Sequence, residues 1–157
     1  MLKLNLGSGQ YDLVDYINID MVKVNDSVKH VLNIGKDTLP FDDNSVGLVL
    51  MLHIIERLDL VEIIFCLREC YRVLEKGGKI QIGFPEFKQM KDHESSFVMV
   101  TNHTNIVGSP ELHKSMLNFD MVEWVLKQLG FINITIDNNF DGLRKANPCE
   151  MRIKAEK

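Results

Sequence analysis

Residues 2–9 read LKLNLGSG, an alternation of apolar and polar side chains through Leu2 to Leu6 that runs straight into Gly7, Ser8 and Gly9. The alternation predicts a strand, and the glycines a tight exit from it where missing side chains let a ligand approach the backbone. Downstream, YINID at Tyr16–Asp20 predicts a second short strand closing on a carboxylate, Val28–Ile34 a third, and Val46–Leu52 a fourth. The fourth is almost continuously apolar, as expected of a strand buried on both faces at the centre of a parallel sheet. Asp59 followed by Glu62 has capping-box spacing and opens a helix in which Ile63, Leu67, Cys70 and Leu74 share one face, with Gly77 and Gly78 as its stop. Lys79–Phe84 predicts a fifth strand. Asn118 caps a helix running to Leu129 and closed by Gly130, and Phe131–Asp137 and Cys149–Ala155 predict the last two strands.

Strands separated by helices describe an open α/β sheet. Only Gly7–Asp15 separates the first two strands and only Met21–Ser27 the next two, too little for full crossover helices, so these are expected to be missing or reduced to turns. That shortening predicts thin cover over Leu4, Leu6, Ile17, Ile19, Val28 and Val31. Either residues 86–117 fold back over them or a second copy pairs there, and a homodimer is the expectation. The segment 86–117 has no clean period and is read as a lid or acceptor-binding insertion within a single domain spanning 1–157.

At 157 residues, 45% hydrophobic and 25% charged, the chain has the make-up of one globular domain. A net charge of -4 gives no general attraction to nucleic acid or anionic lipid, so neither is an expected partner. No apolar run is long enough to span a bilayer, Met1–Gln10 lacks the pattern of a secretory leader, and three sparse cysteines make no disulfide framework. A cytoplasmic setting is expected. Cys66 and Cys70 read as core, His93, His103 and His113 have no local ligand spacing, and no metal site is expected.

Taken in order, LNLGSG at 4–9, YINID at 16–20, LPFDDNS at 39–45, the apolar strand, HIIERL at 53–58 and RECYRVLEKGGKIQIGFP at 68–85 resemble the class I S-adenosylmethionine-dependent methyltransferases. The likeness is to a compact branch whose glycine loop runs almost directly into the second strand. It implies a Rossmann-like, mostly parallel seven-stranded sheet with an antiparallel last strand, and transfer of a methyl group from S-adenosylmethionine to an acceptor the sequence does not identify. Cofactor contacts implied by it are Leu6, Gly7, Ser8, Gly9, Asp20, Met21, Asn33, Ile34 and His53, with Asp20 on the ribose hydroxyls and either Asn33 or Asp37 at the adenine. Two departures stand out: Gly47 where the family usually has Asp, and Arg57 in place of His after Glu56.

The catalytic group is not legible, because methyl transfer needs chiefly the alignment of donor and acceptor. If a base is required, His53, Glu56 and His113 are the candidates. Two other readings stay open: a module that binds S-adenosylmethionine without transferring its methyl group, and another α/β enzyme with a nucleotide cofactor. Asp12 stands where a dinucleotide fingerprint would carry its third glycine, which argues against the latter.

Overall fold

The computed structural model describes residues 1–10, 13–86, 113–140, 143, 146 and 150–157. Seven strands, β1 (Lys3–Leu6), β2 (Ile17–Asp20), β3 (Val28–Val31), β4 (Val46–Leu52), β5 (Leu74–Pro85), β6 (Ile132–Ile136) and β7 (Glu150–Glu156), form one sheet. Among the described residues, the α-helices α1 (Leu60–Val73) and α2 (Phe119–Leu129) accompany them. The strand order is β3-β2-β1-β4-β5-β7-β6, parallel except for β7, which runs antiparallel to both of its neighbours. The described residues between β1 and β2, and between β2 and β3, contain no helix.

Register explains the core. Leu6, Met51, Ile82 and Ile153 align across four strands, and all four are fully buried. Together with Leu4 and Ile19 they belong to one cluster that includes Ile63, Cys66, Leu67 and Cys70 of α1 and Val122, Val125 and Leu126 of α2. Each such aliphatic burial stabilises by about 1.5–3 kcal/mol. Cover for Leu4, Leu6, Ile19 and Val28 is therefore intramolecular, and of the six side chains expected to need a partner only Val31 is exposed. The reason for expecting a second copy on that face falls away.

The sheet's other face is polar toward its C-terminal edge. Asn5 and Asn18, paired across β1 and β2, are buried and hydrogen bonded to each other at 2.8 Å. Leu52, Gly83 and Arg152 form a row on the same face.

Helix α1 begins as its sequence demands. The Asp59 carboxylate accepts from the Glu62 N–H at 2.9 Å and the Glu62 carboxylate accepts from the Asp59 N–H at 3.0 Å. Asp59→Ala is expected to cost about 1 kcal/mol in a urea titration. At the other end the helix stops at Val73, not at the glycines, because Leu74 pairs at once with Val46 as the start of β5. Gly77 and Gly78 lie inside the strand, where its register against β4 shifts. A pair read as a helix stop is a bulge device. Strand β3 is likewise shorter than its sequence suggests, since Asn33 begins a turn in which the Lys36 and Asp37 N–H groups donate to its carbonyl. Near the end of α1, Arg72 donates to the carbonyls of Leu39 and Phe41 at 2.9 Å each and pairs with Glu69 and Asp43, pinning the LPFDD loop to the helix.

Candidate active site

The strand order reverses between β1 and β4, so the loops leaving these neighbours diverge and open a crevice at the sheet's C-terminal edge. Gly7 and Gly9 lie in the left-handed region at φ 67° and 54°. The N–H groups of Gly7 and Ser8 both donate to the Ile19 carbonyl, at 2.9 and 3.1 Å, which ties the loop to β2. A Cβ on Gly7 would lie 2.5 Å from Cγ1 of Ile54, in the loop after β4, whereas a Cβ on Gly9 would meet nothing within 4 Å. The Ser8 hydroxyl is buried and has no hydrogen-bond partner among the described residues. Asp20 closes β2, its carboxylate accepting from the Gly9 N–H at 2.8 Å and the Val22 N–H at 3.1 Å. A carboxylate has about four acceptor sites, so capacity for two hydroxyls remains.

Leu6 and Ile34 have buried core side chains, which leaves ligand contact to their backbones, while Met21 is exposed. Asn33 and Asp37, alternatives in the sequence, are here one unit: the Asp37 carboxylate accepts from the Asn33 N–H at 2.7 Å, and the Asn33 side chain accepts from the Gly35 N–H at 3.0 Å. A Cβ on Gly35 would crowd Glu62, and Lys36 reaches Glu62 at 3.6 Å, so this turn leans on the start of α1. Gly47, where the family usually has Asp, lies far from the crevice at the opposite end of β4, and the Met1 side chain occupies the space beside it.

His53 leaves β4 in the left-handed region at φ 53°, unusual for a residue with a side chain and a common form of strain at working sites. Its N–H donates to the Gly83 carbonyl at 2.8 Å, and the Arg57 guanidinium donates to its carbonyl at 3.0 Å. Arg57 is thus a brace for the strained residue. The imidazole lies between two buried carboxylates, with Nδ1 3.4 Å from Glu56 and Nε2 3.5 Å from Glu150. Burial disfavours the imidazolium, but hydrogen bonds and charge from Glu150 and Glu56 outweigh it and push the His53 pKa up to about 9. His53 is therefore a cation at neutral pH and cannot accept a proton there.

A raised folded pKa stabilises the fold fully below the ordinary value near 6.5 and ceases to do so as pH rises through about 9. The stability gap between the native chain and His53→Gln is accordingly expected to shrink between those pH values. Denaturation curves at either end of the window measure it.

His113 Nε2 lies 3.8 Å from the Glu56 carboxylate, and the Lys114 and Ser115 N–H groups donate to the Glu56 carbonyl at 2.8 and 3.0 Å. Lys114 also pairs with Glu62 at 2.9 Å, and Ser115 donates to the Leu58 carbonyl at 2.7 Å. Burial would raise the Glu62 pKa, but the Asp59 N–H, Lys114 and Lys36 hold it below the usual carboxylate value. The three catalytic candidates, His53, Glu56 and His113, thus converge. Sequence reasoning missed Glu150 and Arg152, which are buried and bonded to each other at 2.7 Å, with the Arg152 guanidinium over the Phe140 ring at 5.1 Å. The available signal was a pair of charges two residues apart in a strand otherwise destined for the core.

Cys66 and Cys70 are free and buried in the core, and the neighbouring Cys66 thiol and burial push the Cys70 thiol well up. His93, His103 and Cys149 lie outside the described residues. Among the described residues no group of three His, Cys, Asp or Glu side chains is placed to hold a metal ion.

A family model described as a methyltransferase domain matches residues 14–82. No curated protein matches the chain in sequence. Among solved structures, an S-adenosylmethionine-dependent methyltransferase from Archaeoglobus fulgidus superimposes with a TM-score of 0.70 at 16% identity over 99% of this chain and 85% of that one. One from Methanosarcina mazei gives 0.66 at 16% identity over 99% and 91%. A phosphoethanolamine N-methyltransferase from Haemonchus contortus, solved with S-adenosylhomocysteine, gives 0.70 at 14% identity over 100% of this chain and 49% of that one. At these identities the structural likeness is one of fold. The chain thus has the fold of these S-adenosylmethionine-dependent methyltransferases, and its residues 14–82 match the methyltransferase-domain model.

Proposed function

We propose that the chain binds S-adenosylmethionine across the β1–β4 crevice and transfers its methyl group to a small-molecule acceptor lying against the His53–Glu56 turn. The observation that carries this reading is the juxtaposition of the tied Gly7–Gly9 loop, with its open position at Gly9, and the Asp20 carboxylate. The cofactor supplies a methyl group made electrophilic by its sulfonium. In this reading Gly7, Ser8 and Gly9 admit the amino acid end, Asp20 accepts from the ribose hydroxyls, and Met21, Asn33 and Ile34 flank the adenine, with Leu6 contributing backbone.

Glu56 is the group able to take a proton from the acceptor, since His53 is already protonated at neutral pH. His53 and His113 hold that carboxylate in place. The segment 86–117 serves as the acceptor-side insertion: its described ends, the buried Glu86 and the anchored His113–Ser115, both adjoin this part of the sheet edge. No described helix is long and apolar enough to cross a membrane, and free, buried Cys66 and Cys70 suit the reducing cytoplasm.

Calorimetry with S-adenosylmethionine and S-adenosylhomocysteine tests the reading. Both are expected to bind one to one, and Asp20→Ala is expected to weaken both by roughly tenfold, about 1.4 kcal/mol, with little change in unfolding midpoint. Unaltered affinity in that variant would remove Asp20 from the site.

A further inference from the structure

Two buried side chains of opposite charge, Glu56 and Arg152, end the cluster around His53. Glu56 is 2% exposed and Arg152 fully buried. The first is held only by long ion pairs, its Oε1 3.4 Å from His53 and 3.8 Å from His113, and both terminal guanidinium nitrogens of the second lack a hydrogen-bond partner among the described residues. Burying such groups without close hydrogen bonds is costly, and each calls for a partner. They are the two poles of one continuous chain: Glu56 lies 3.4 Å from His53, His53 3.5 Å from Glu150, and Glu150 2.7 Å from the Arg152 Nε.

Arg152 is also oriented. Its Nε is held by Glu150 and its face by Phe140, which leaves the edge formed by the two terminal nitrogens, the edge that grips a planar oxyanion with two parallel hydrogen bonds. Gly83, between Leu52 and Arg152 in the sheet, lets the Leu52 and Glu150 side chains pack directly over the strand, since a Cβ there would lie 2.7 Å from Leu52 and 3.3 Å from Glu150. The charges of Glu56, His53, Glu150 and Arg152 cancel. A ligand with a single charge would unbalance this low-dielectric site, and an apolar one would leave the Arg152 fork unsatisfied.

We propose that the methyl acceptor is a bipolar small molecule: a proton-bearing amine or hydroxyl nucleophile held against Glu56, and an oxyanion, carboxylate or phosphate, held in the fork of Arg152. This rests on the transferase reading above and names the substrate class for the same site. As the acceptor's nitrogen or oxygen lone pair forms its bond to the methyl carbon, the carbon–sulfur bond breaks and sulfur keeps that electron pair. Glu56 takes the proton the acceptor sheds and returns it to solvent. Glu56 is then a catalytic residue, and Glu150 and His53 are positioning residues that hold the two poles apart.

The test uses the full chain loaded with S-adenosylhomocysteine, whose affinity is measured first by calorimetry. The His53 imidazole resonances are followed by NMR during titration with glycine, β-alanine and aminopropyl phosphate, and with propylammonium and propionate as single-pole controls. At least one bipolar probe is expected to saturate the His53 shift by roughly 50 mM, with neither control saturating over the same range. Glu56→Gln is expected to weaken that probe by roughly tenfold while S-adenosylhomocysteine binds within about twofold of the native chain. The amino carboxylates and the amino phosphate between them identify the oxyanion. Saturation by no bipolar probe, equal saturation by a control, or undiminished binding in Glu56→Gln would each overturn the proposal. Failure of S-adenosylhomocysteine to bind the native chain would instead count against the transferase reading.

Discussion

Gly9→Asn is expected to weaken cofactor binding at least tenfold in a protein that still folds, and Gly7→Ala to do the reverse damage, destabilising the fold itself. Both positions lie in the left-handed region, where a residue with a side chain loses roughly 1–2 kcal/mol, asparagine least of all. The difference lies in what surrounds them. A side chain at Gly9 projects into space that no protein atom occupies within 4 Å, so the fold absorbs it, but any ligand following the loop from β1 to Asp20 meets it. Affinity for S-adenosylmethionine should fall by at least tenfold, about 1.4 kcal/mol, with an unfolding free energy within about 1 kcal/mol of the native chain. At Gly7 the new Cβ would sit 2.5 to 2.8 Å from Cγ1, Cδ1 and Cβ of Ile54. Ile54 follows the strained His53 and precedes the turn that carries Glu56, so it has little freedom to retreat. Overpacking of about 1–3 kcal/mol then adds to the backbone strain, a large part of a typical stability of about 5–15 kcal/mol. Urea titrations paired with calorimetry separate the two variants, and a Gly9→Asn protein that binds like the native chain would take the loop out of the cofactor's path.

How much of this could be read beforehand follows from the range of the interactions involved. Strand β4 and the Asp59–Glu62 box are local: one is a run of apolar residues, the other a reciprocal bond across three positions, and both stand where the sequence puts them. Gly77 and Gly78 were legible as a break in regular structure but not as which break. A helix stop and a bulge ask the same freedom of the backbone, and the choice was made by Val46, which captures Leu74 from another strand. His53, Glu56 and His113 could be named as candidates one at a time because each residue type suits proton transfer. Their convergence depends on Lys114 and Ser115 docking on the carbonyl of a residue more than fifty positions earlier, which no period encodes. Glu150 and Arg152 were invisible as a site for the same reason, since their partner His53 lies about a hundred positions earlier and the three meet only because β7 runs antiparallel beside β5.

That antiparallel pairing sets up the second large effect. Arg152→Met is expected to lower the unfolding free energy by about 3–5 kcal/mol, the range for removing one partner of a buried ion pair. The loss comes mostly from what stays behind: a Glu150 carboxylate with a side chain 1% exposed, stripped of its 2.7 Å charge-assisted bond, with the His53 imidazole at the longer distance of 3.5 Å. Glu150→Gln should cost less, because the amide carries no charge into the interior and its oxygen can still accept from Arg152. Removing both charges together should cost less than the two single changes summed, since neither then strands a partner and methionine fills much of the space the guanidinium stem occupied. A double-mutant cycle by urea denaturation measures this, with a coupling of at least about 1 kcal/mol expected for groups in direct contact. Additive single costs would mean that the two side chains are stabilised independently, Arg152 by Phe140 and Glu150 by His53, and that the buried charges form two local pairs instead of one connected chain.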